Sequence, residues 1–334
     1  MTKISSIGKF LDQPILTAKL NKHMPEILTI GSGIFLAKQL HETQENERLK
    51  HGIKSAIILG ATGFSAIKAP KIAAYITKKE MTKPFAQIVN DNVQIIDNYL
   101  QKNKFSQEIT KVLEKAKGKI LSVKEIDKIN TPEHKEFLDK LIPPPQNIQA
   151  KDIFKEIGWL SLYGAIPVGG GIAGGIAADK VTEKNWKQKV PNKIKEGIYQ
   201  YLANIFMCNI GAGAALGILE KFNIKSKSAR CIGMVSGILL TGVIGGSYIA
   251  NFIGNKIINP LILKEHKKET RTPELLDIGL HSDDIATVSL LSGLKWIEPS
   301  LPLLYSISGY RAGIGYRNGQ AQNEKEAHFL RQKC

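Results

Sequence analysis

Residues 231–255 read CIGMVSGILLTGVIGGSYIANFIGN, and no side chain in this stretch is charged. Its small residues fall four positions apart in two series, which are Gly233 and Gly237, and then Gly242, Gly246, Ala250 and Gly254. Four residues make about one helical turn, so each series lines one face of a helix. At about 1.5 Å per residue, the stretch is long enough to cross a ~30 Å hydrocarbon core. It predicts a membrane-spanning helix that packs through its small-residue face.

Two other long stretches have the same character. Residues 157–178 and 198–219 are also uncharged, and Gly213 and Gly217 give the second stretch a small-residue face. These stretches predict two further apolar helices that associate through glycine.

Shorter apolar runs flank these three stretches. Residues 27–37 and 55–67 predict an N-terminal helical hairpin that either crosses the membrane or re-enters it. A final apolar segment, 285–310, is interrupted by charges and prolines. We therefore predict an all-α fold, a polytopic membrane helical bundle of four to six apolar helices with glycine-mediated packing.

Residues 78–150 differ from the rest because they are rich in Lys, Glu, Asp and Gln. Apolar residues recur there at helical intervals, and the sequence from Ser122 to Glu125 matches a capping box that begins a helix. We predict four parts: an apolar helical hairpin at 1–77, a soluble amphipathic helical insert at 78–150, a membrane helical bundle at 151–312 and a polar tail at 313–334.

The chain of 334 residues has a net charge of +16 and 46 basic residues, of which only six are Arg. Readers of nucleic acid favour Arg for bidentate contacts, so we expect no nucleic-acid partner. The lysines lie between the apolar stretches, which favours loops that face the anionic head groups of a lipid bilayer. Solvation of the loops is the alternative interpretation. We expect a multi-pass protein of the inner or plasma membrane. The sequence is compatible with a homo-oligomer.

The glycines at 169–174 formally match G-x-G-x-x-G. Their wider context, AIPVGGGIAGG at 165–175, resembles the opening of flavin-binding Rossmann domains, in which glycines let the backbone approach a pyrophosphate. That resemblance implies a dinucleotide-binding oxidoreductase. However, Pro167 falls where the central strand should run, and central strands exclude proline. Helix packing is therefore the favoured interpretation, and we expect no cofactor.

Polar residues inside the apolar segments form a candidate path for an ion or substrate. Lys295 and Glu298 share a helix face beside prolines 299 and 302, as in transporters with discontinuous spans. Asn204 and Asn209 lie in another apolar stretch, where hydrogen bonding between helices is the alternative role.

No motif in the chain identifies a reaction. The three cysteines are scattered, and His281, Asp283 and Asp284 are too few and too close in sequence to predict a metal site. We expect a non-enzymatic membrane scaffold or interaction protein. The alternatives are a transporter or channel that uses the polar break at 295–302, and the flavin-binding oxidoreductase.

Overall fold

The computed structural model describes residues 3–79, 83–102, 105–144, 149–263, 270–274, 277 and 299–315. All regular secondary structure in these residues is helical, which confirms the prediction of an all-α chain. The chain divides into two compact units. We call them the small unit (Met1–Met24, Glu80–Ile148 and Ile285–Leu301) and the long-helix unit (Pro25–Lys79, Gln149–Asp284 and Pro302–Cys334).

The small unit is built from short amphipathic helices around one apolar core. Its described helices are α1 (Lys3–Leu11), the first part of α2 (Pro14–Glu42), α4 (Phe85–Lys102), α5 (Gln107–Ala116), α6 (Val123–Ile129) and α7 (Lys135–Leu141). Ile96, Leu113, Ile126 and Leu138 are completely buried in this core. The predicted capping box is confirmed, because Ser122 Oγ accepts from the Glu125 backbone N–H while the Glu125 carboxylate accepts from that of Ser122. The solubility of this region stays a prediction.

The long-helix unit contains the longest helices of the chain. They are the second part of α2, α3 (Glu45–Thr77), α8 (Ala150–Thr182), α9 (Val190–Tyr201), α10 (Met207–Lys221), α11 (Lys227–Gly237), α12 (Ser247–Ile253) and α13 (Leu301–Ile314). Helices α9 and α10 form one continuous helical run, and so do α11 and α12. Within the described residues, four helical runs are long and apolar enough to cross a membrane, namely Glu45–Thr77, Ala150–Thr182, Trp186–Lys221 and Ala229–Ile262.

Helices α3 and α8 lie antiparallel along most of their length. Lys54, near the start of α3, pairs with Asp179 at the end of α8, and their Nζ and Oδ1 atoms are 2.6 Å apart. At the opposite ends of the same helices, Lys79 pairs with Glu156. Between these two ion pairs α8 advances 23 residues, which corresponds to about 35 Å at 1.5 Å per residue. That length is close to the ~30 Å thickness of a hydrocarbon core.

The two continuous runs contain π-helical segments, in which the hydrogen bonds step from residue i to i+5. These segments are Leu202–Phe206, Ile238–Gly246 and Gly254–Leu263. Cys208 fits the widened turn of the first segment, because its Sγ atom donates to the Ala203 carbonyl oxygen at 2.9 Å. Single π turns within helices are frequently found at functional sites.

The glycines at 169–174 lie inside α8, which continues through Pro167. A dinucleotide-binding turn needs a strand before the glycines and free backbone N–H groups at the start of a helix. The interior of a long helix offers neither feature. The Rossmann interpretation of this motif is therefore wrong in its structural premise.

Candidate functional site

The long-helix unit buries an unusual set of charged side chains. Seven of those in the described residues are at most 5% exposed, namely Asp179, Lys193, Lys195, Glu196, Arg271, Asp277 and Arg311. A charge that is removed from water is costly unless it is paired and hydrogen-bonded. All of them except Lys195, together with their direct polar partners, form the candidate site, which we call the buried charge network.

Arg271 is the centre of the network. Its Nε atom donates to both carboxylate oxygens of Glu196, at 3.2 and 3.1 Å. Its Nη1 and Nη2 atoms donate to Oδ2 and Oδ1 of Asp277, at 2.8 and 3.1 Å. One guanidinium therefore joins helix α9 to the segment around residue 277, with the paired geometry that makes Arg–carboxylate contacts strong.

Arg311 of α13 is a second cation in contact with the same carboxylates. Its Nη1 atom is 3.2 Å from Asp277 Oδ1, and its Nε atom is 4.0 Å from Glu196 Oε1. Its Nη2 atom donates to Glu274 at 3.0 Å. Three carboxylates thus surround two guanidinium groups, so this half of the network has a formal charge of −1.

Asp277 lies outside the four candidate spans, and its titration reflects these contacts. Burial alone would raise the pKa of its carboxyl, but the hydrogen bonds and charge of Arg271, together with the charge of Arg311, hold that pKa below its usual range. The charges of Glu196 and Asp277 in turn raise the pKa of Arg271. Both groups are therefore charged at neutral pH, and the network is ionic.

A ladder of amides extends from Glu196 into the helical run Trp186–Lys221. Gln200 donates to Glu196 Oε1 at 2.8 Å, and Asn204 donates to Gln200 Oε1 at 2.8 Å. Asn204 Nδ2 also lies 3.3 Å from Asp277 Oδ1. The ladder covers eight residues, or about 12 Å of helix. Asn204 Oδ1 is buried without a hydrogen-bond partner in the described part of the chain.

Aromatic and polar contacts fix Arg271 in place. The guanidinium carbon lies 3.8 Å from the ring centroid of Tyr199, and the Tyr199 hydroxyl accepts from Ser247 at 3.0 Å. The side-chain amide of Asn251 exchanges two hydrogen bonds with the Arg271 backbone, both at 2.9 Å. Helices α9 and α12 therefore both hold the segment that carries Arg271.

Asp179 is the centre of the other half of the network. Its Oδ1 atom is 2.6 Å from Lys54 Nζ, and its Oδ2 atom is 2.9 Å from Lys193 Nζ. Lys193 also donates to the Gly313 carbonyl oxygen at 2.5 Å. Glu183 extends this half of the network toward the surface, because its Oε1 atom is 3.4 Å from Lys54 Nζ and 3.8 Å from Lys50 Nζ.

The predicted polar path is only partly described. Asn204 is a member of the buried charge network, whereas Asn209 donates to the Ile205 carbonyl oxygen of its own helix at 2.7 Å. Lys295 and Glu298 lie outside the described residues, and so do His281, Asp283 and Asp284. No group of metal-ligating side chains occurs in the described ranges.

The sequence pattern did not predict the charged members of the network, because their partners are distant along the chain. One signal was available, since Lys193 and Glu196 share a helix face with Gln200 and Asn204 at spacings of three and four residues.

The predicted packing glycines differ in how close a neighbouring atom would lie to an added Cβ atom. A Cβ atom added at Gly237 would lie 2.3 Å from Gly211 O, one at Gly242 would lie 2.1 Å from Cys208 Sγ, and one at Gly246 would lie 2.6 Å from Ala203 Cα. At Gly233 the added atom would meet Leu219 Cδ1 at 2.6 Å. Ala250 is buried beside Tyr199 and Ala203. The three remaining positions have more space, with nearest distances of 3.0 Å at Gly213, 3.5 Å at Gly217 and 3.6 Å at Gly254.

Comparison of the chain with protein-family models, with curated proteins and with solved structures gave no match.

Proposed function

We propose that this is a multi-pass protein of the inner or plasma membrane, with the long-helix unit inside the bilayer. The exposed large apolar side chains support this location, because all of those in the described residues except Ile7 belong to that unit. Examples on the candidate spans are Phe64, Leu240, Ile244 and Tyr248, which are 62–74% exposed. Lipid tails would cover such a surface at no cost, whereas water would not.

We further propose that the protein transports an ion and that the buried charge network is the coupling site. The observation that carries this proposal is the presence of seven charged side chains, each at most 5% exposed, in the described part of the unit with the apolar spans. A purely structural core could use apolar side chains of similar size without loss of stability. Glu196 and Lys193 lie within the candidate span Trp186–Lys221, and ionisable groups in membrane spans usually belong to ion paths or proton relays.

The network also connects different parts of the chain, since each of its two arginines belongs to a different segment. Arg271 precedes residue 277, and Arg311 lies on α13, whereas Glu196 and the amide ladder lie on one helical run. An ion that neutralises Glu196 weakens its attraction to both arginines. The equilibrium between two arrangements of these segments would then depend on ion occupancy. This proposal shifts the path from residues 295–302 to residues 196–204.

The test is ion flux in liposomes that contain the purified full-length chain, measured separately for H⁺, Na⁺, K⁺ and Cl⁻. We expect flux of one ion above that of protein-free vesicles and its loss in Glu196→Gln. The matched control is Glu220→Gln, which removes a carboxylate that pairs with Arg230 at the end of the same helical run and is 34% exposed. Wild-type protein that moves none of the four ions would contradict the transport function.

A non-enzymatic scaffold or interaction role is the second candidate, and the closely packed glycines favour it. Its basic loops would contact anionic lipid, and a homo-oligomer is compatible with it. However, Gly237, Gly242 and Gly246 contact neighbouring helices of the same chain, so a partner would use another surface. A scaffold predicts that Glu196→Gln leaves the biological role intact, whereas Gly246→Leu removes it by disrupting the fold.

A further inference from the structure

On the basis of the transport function proposed above, we infer that the ion is a proton, which enters through a relay of Glu183, Lys54, Asp179 and Lys193. The relay is carried by two observations: a continuous series of short contacts between proton-bearing groups, and a change from partly exposed groups (Glu183 and Lys54) to fully buried ones (Asp179 and Lys193).

The contacts alternate between carboxylates and ammonium groups. Glu183 Oε1 lies 3.4 Å from Lys54 Nζ, which lies 2.6 Å from Asp179 Oδ1. The opposite oxygen of Asp179 is 2.9 Å from Lys193 Nζ. Three of the four groups come from three different helices: Lys54 lies on α3, Asp179 on α8 and Lys193 on α9. Their convergence is a product of the tertiary fold.

Burial increases along the same series. The side chains of Lys50 and Lys189, which both pair with Glu183, are 52% and 45% exposed. Glu183 and Lys54 are 16% and 19% exposed, and Asp179 and Lys193 are 0% and 1% exposed. The series therefore begins at the surface of the unit and ends in its interior.

The short distances favour the proton over any larger ion. A metal cation would have to separate Lys54 from Asp179 and would meet the positive charges of Lys50, Lys54, Lys189 and Lys193. An anion would have to displace Asp179 from two lysines. A proton passes between groups that are already in contact and separates none of them, which is the usual use of ionisable chains in pumps and transporters.

Each transfer is chemically balanced. Lys193 first releases a proton to water and becomes a neutral amine. Lys54 then protonates Asp179, and Asp179 passes this proton to Lys193. Glu183, which solvent has protonated, restores the proton of Lys54. One N–H or O–H bond breaks and one forms at every step, and water is the only co-reactant. Lys193 then lies one helical turn from Glu196, on the same face of α9.

Glu183 lies between two candidate spans, and three lysines pair with its carboxylate. Burial raises the pKa of its carboxyl, but the hydrogen bond from Lys189 and the charges of Lys54, Lys189 and Lys50 lower that pKa overall. The groups that face Asp179 are Lys54 from α3, Lys193 from α9 and the Gly313 carbonyl beside Lys193.

The experiment measures proton flux by the full-length chain in liposomes with an internal pH-sensitive dye. Removal of a positioned proton-transfer group should lower the flux by about 10²-fold in Asp179→Asn and by about tenfold in the more exposed Glu183→Gln. The matched control is Glu156→Gln, which removes the carboxylate paired with Lys79 at the other end of α8 and should leave the flux within about twofold, as expected for an exposed group.

Thermal unfolding of each variant separates a relay defect from a folding defect. If Asp179→Asn does not fold, Glu183→Gln alone decides the outcome. Proton flux in Glu183→Gln equal to that of the wild type would overturn the relay, and so would wild-type transport of Na⁺, K⁺ or Cl⁻ without protons. Both of those results leave the transport function in place, whereas wild-type protein that moves none of these ions removes that function itself.

Discussion

Replacement of Gly171 by alanine should separate α8 from α13, whereas the same change at Gly169 should not. A Cβ atom added at Gly171 would lie 1.8 Å from the Gly309 carbonyl oxygen. Since real Cβ contacts are essentially never shorter than 3.0 Å, the two backbones must move apart. The space is limited by main-chain atoms on the facing helix, so no side-chain rotation can relieve the clash.

The expected cost follows from two opposing terms. Overpacking of a well-packed site costs about 1–3 kcal/mol, and a backbone obstacle places this case at the upper end. Alanine in a helix interior recovers up to about 1 kcal/mol relative to glycine. The net destabilisation is about 2 kcal/mol, which lowers the unfolding midpoint of a unit of this size by roughly 4–8 °C. At Gly169 only the favourable term applies, because nothing lies within 4 Å of the added atom.

The assay is thermal unfolding of the detergent-solubilised full-length protein, followed by intrinsic fluorescence. We expect Gly171→Ala to unfold at a lower temperature than the wild type and Gly169→Ala to unfold at the same or a higher temperature. Because the two glycines are two residues apart in one helix, helix propensity is matched. Equal midpoints for Gly171→Ala and the wild type would refute the close approach of α8 and α13, as would equal destabilisation by both changes.

Three further outcomes are expected. Gly246→Leu should destabilise the fold by about 1–3 kcal/mol or more, because the new side chain would meet the Ala203 backbone. Gly245→Leu should not destabilise it, because the nearest atom to an added Cβ lies at 3.6 Å. Equal unfolding midpoints for the two variants would disprove the close contact at Gly246. Arg271→Leu should lower the free energy of unfolding by about 3–5 kcal/mol, because it leaves Glu196 and Asp277 buried without their central cation. Replacement of the exposed Arg48 by leucine should change it by less than about 0.5 kcal/mol. Denaturant titration measures both changes, and equal values would contradict this account. The backbone and side-chain hydrogen bonds from Ser122 lower the pKa of Glu125. The contribution of Glu125 to the stability of helix α6, about 1 kcal/mol, is therefore present above its ordinary pKa and is lost as the pH falls through the lowered value. Hydrogen exchange of residues 123–129 should accelerate in Glu125→Ala at neutral pH, and unchanged exchange would contradict the capping box.

The helices were predictable from the sequence because their signals are local. The absence of charge at 157–178 and 231–255 marks two of the four candidate spans, and the capping box at Ser122 marks the start of α6. Helix α3 extends well beyond its apolar run at 55–67, because polar residues at both of its ends continue the same hydrogen-bond pattern.

The buried charge network was not predictable from the sequence because its contacts are distant along the chain. Arg271 and Glu196 are 75 residues apart, and the segment Glu80–Ile148 of the small unit lies between Lys54 and Asp179 in the sequence. A charge next to an apolar stretch has the same local sequence whether it faces water or a partner in the interior. Only the antiparallel packing of α3 and α8, and the position of α13 beside them, distinguishes these cases.

Alkaline extraction of membranes from cells that express the full-length chain is the most direct test of whether the long-helix unit lies in the bilayer. Carbonate at high pH strips proteins held only by charge, while apolar helices that cross the hydrocarbon core are retained. We predict that the protein stays entirely in the membrane pellet. Recovery in the supernatant with soluble proteins would show that the apolar helices bury one another in water. That result would contradict both the membrane location and the proposed transport function.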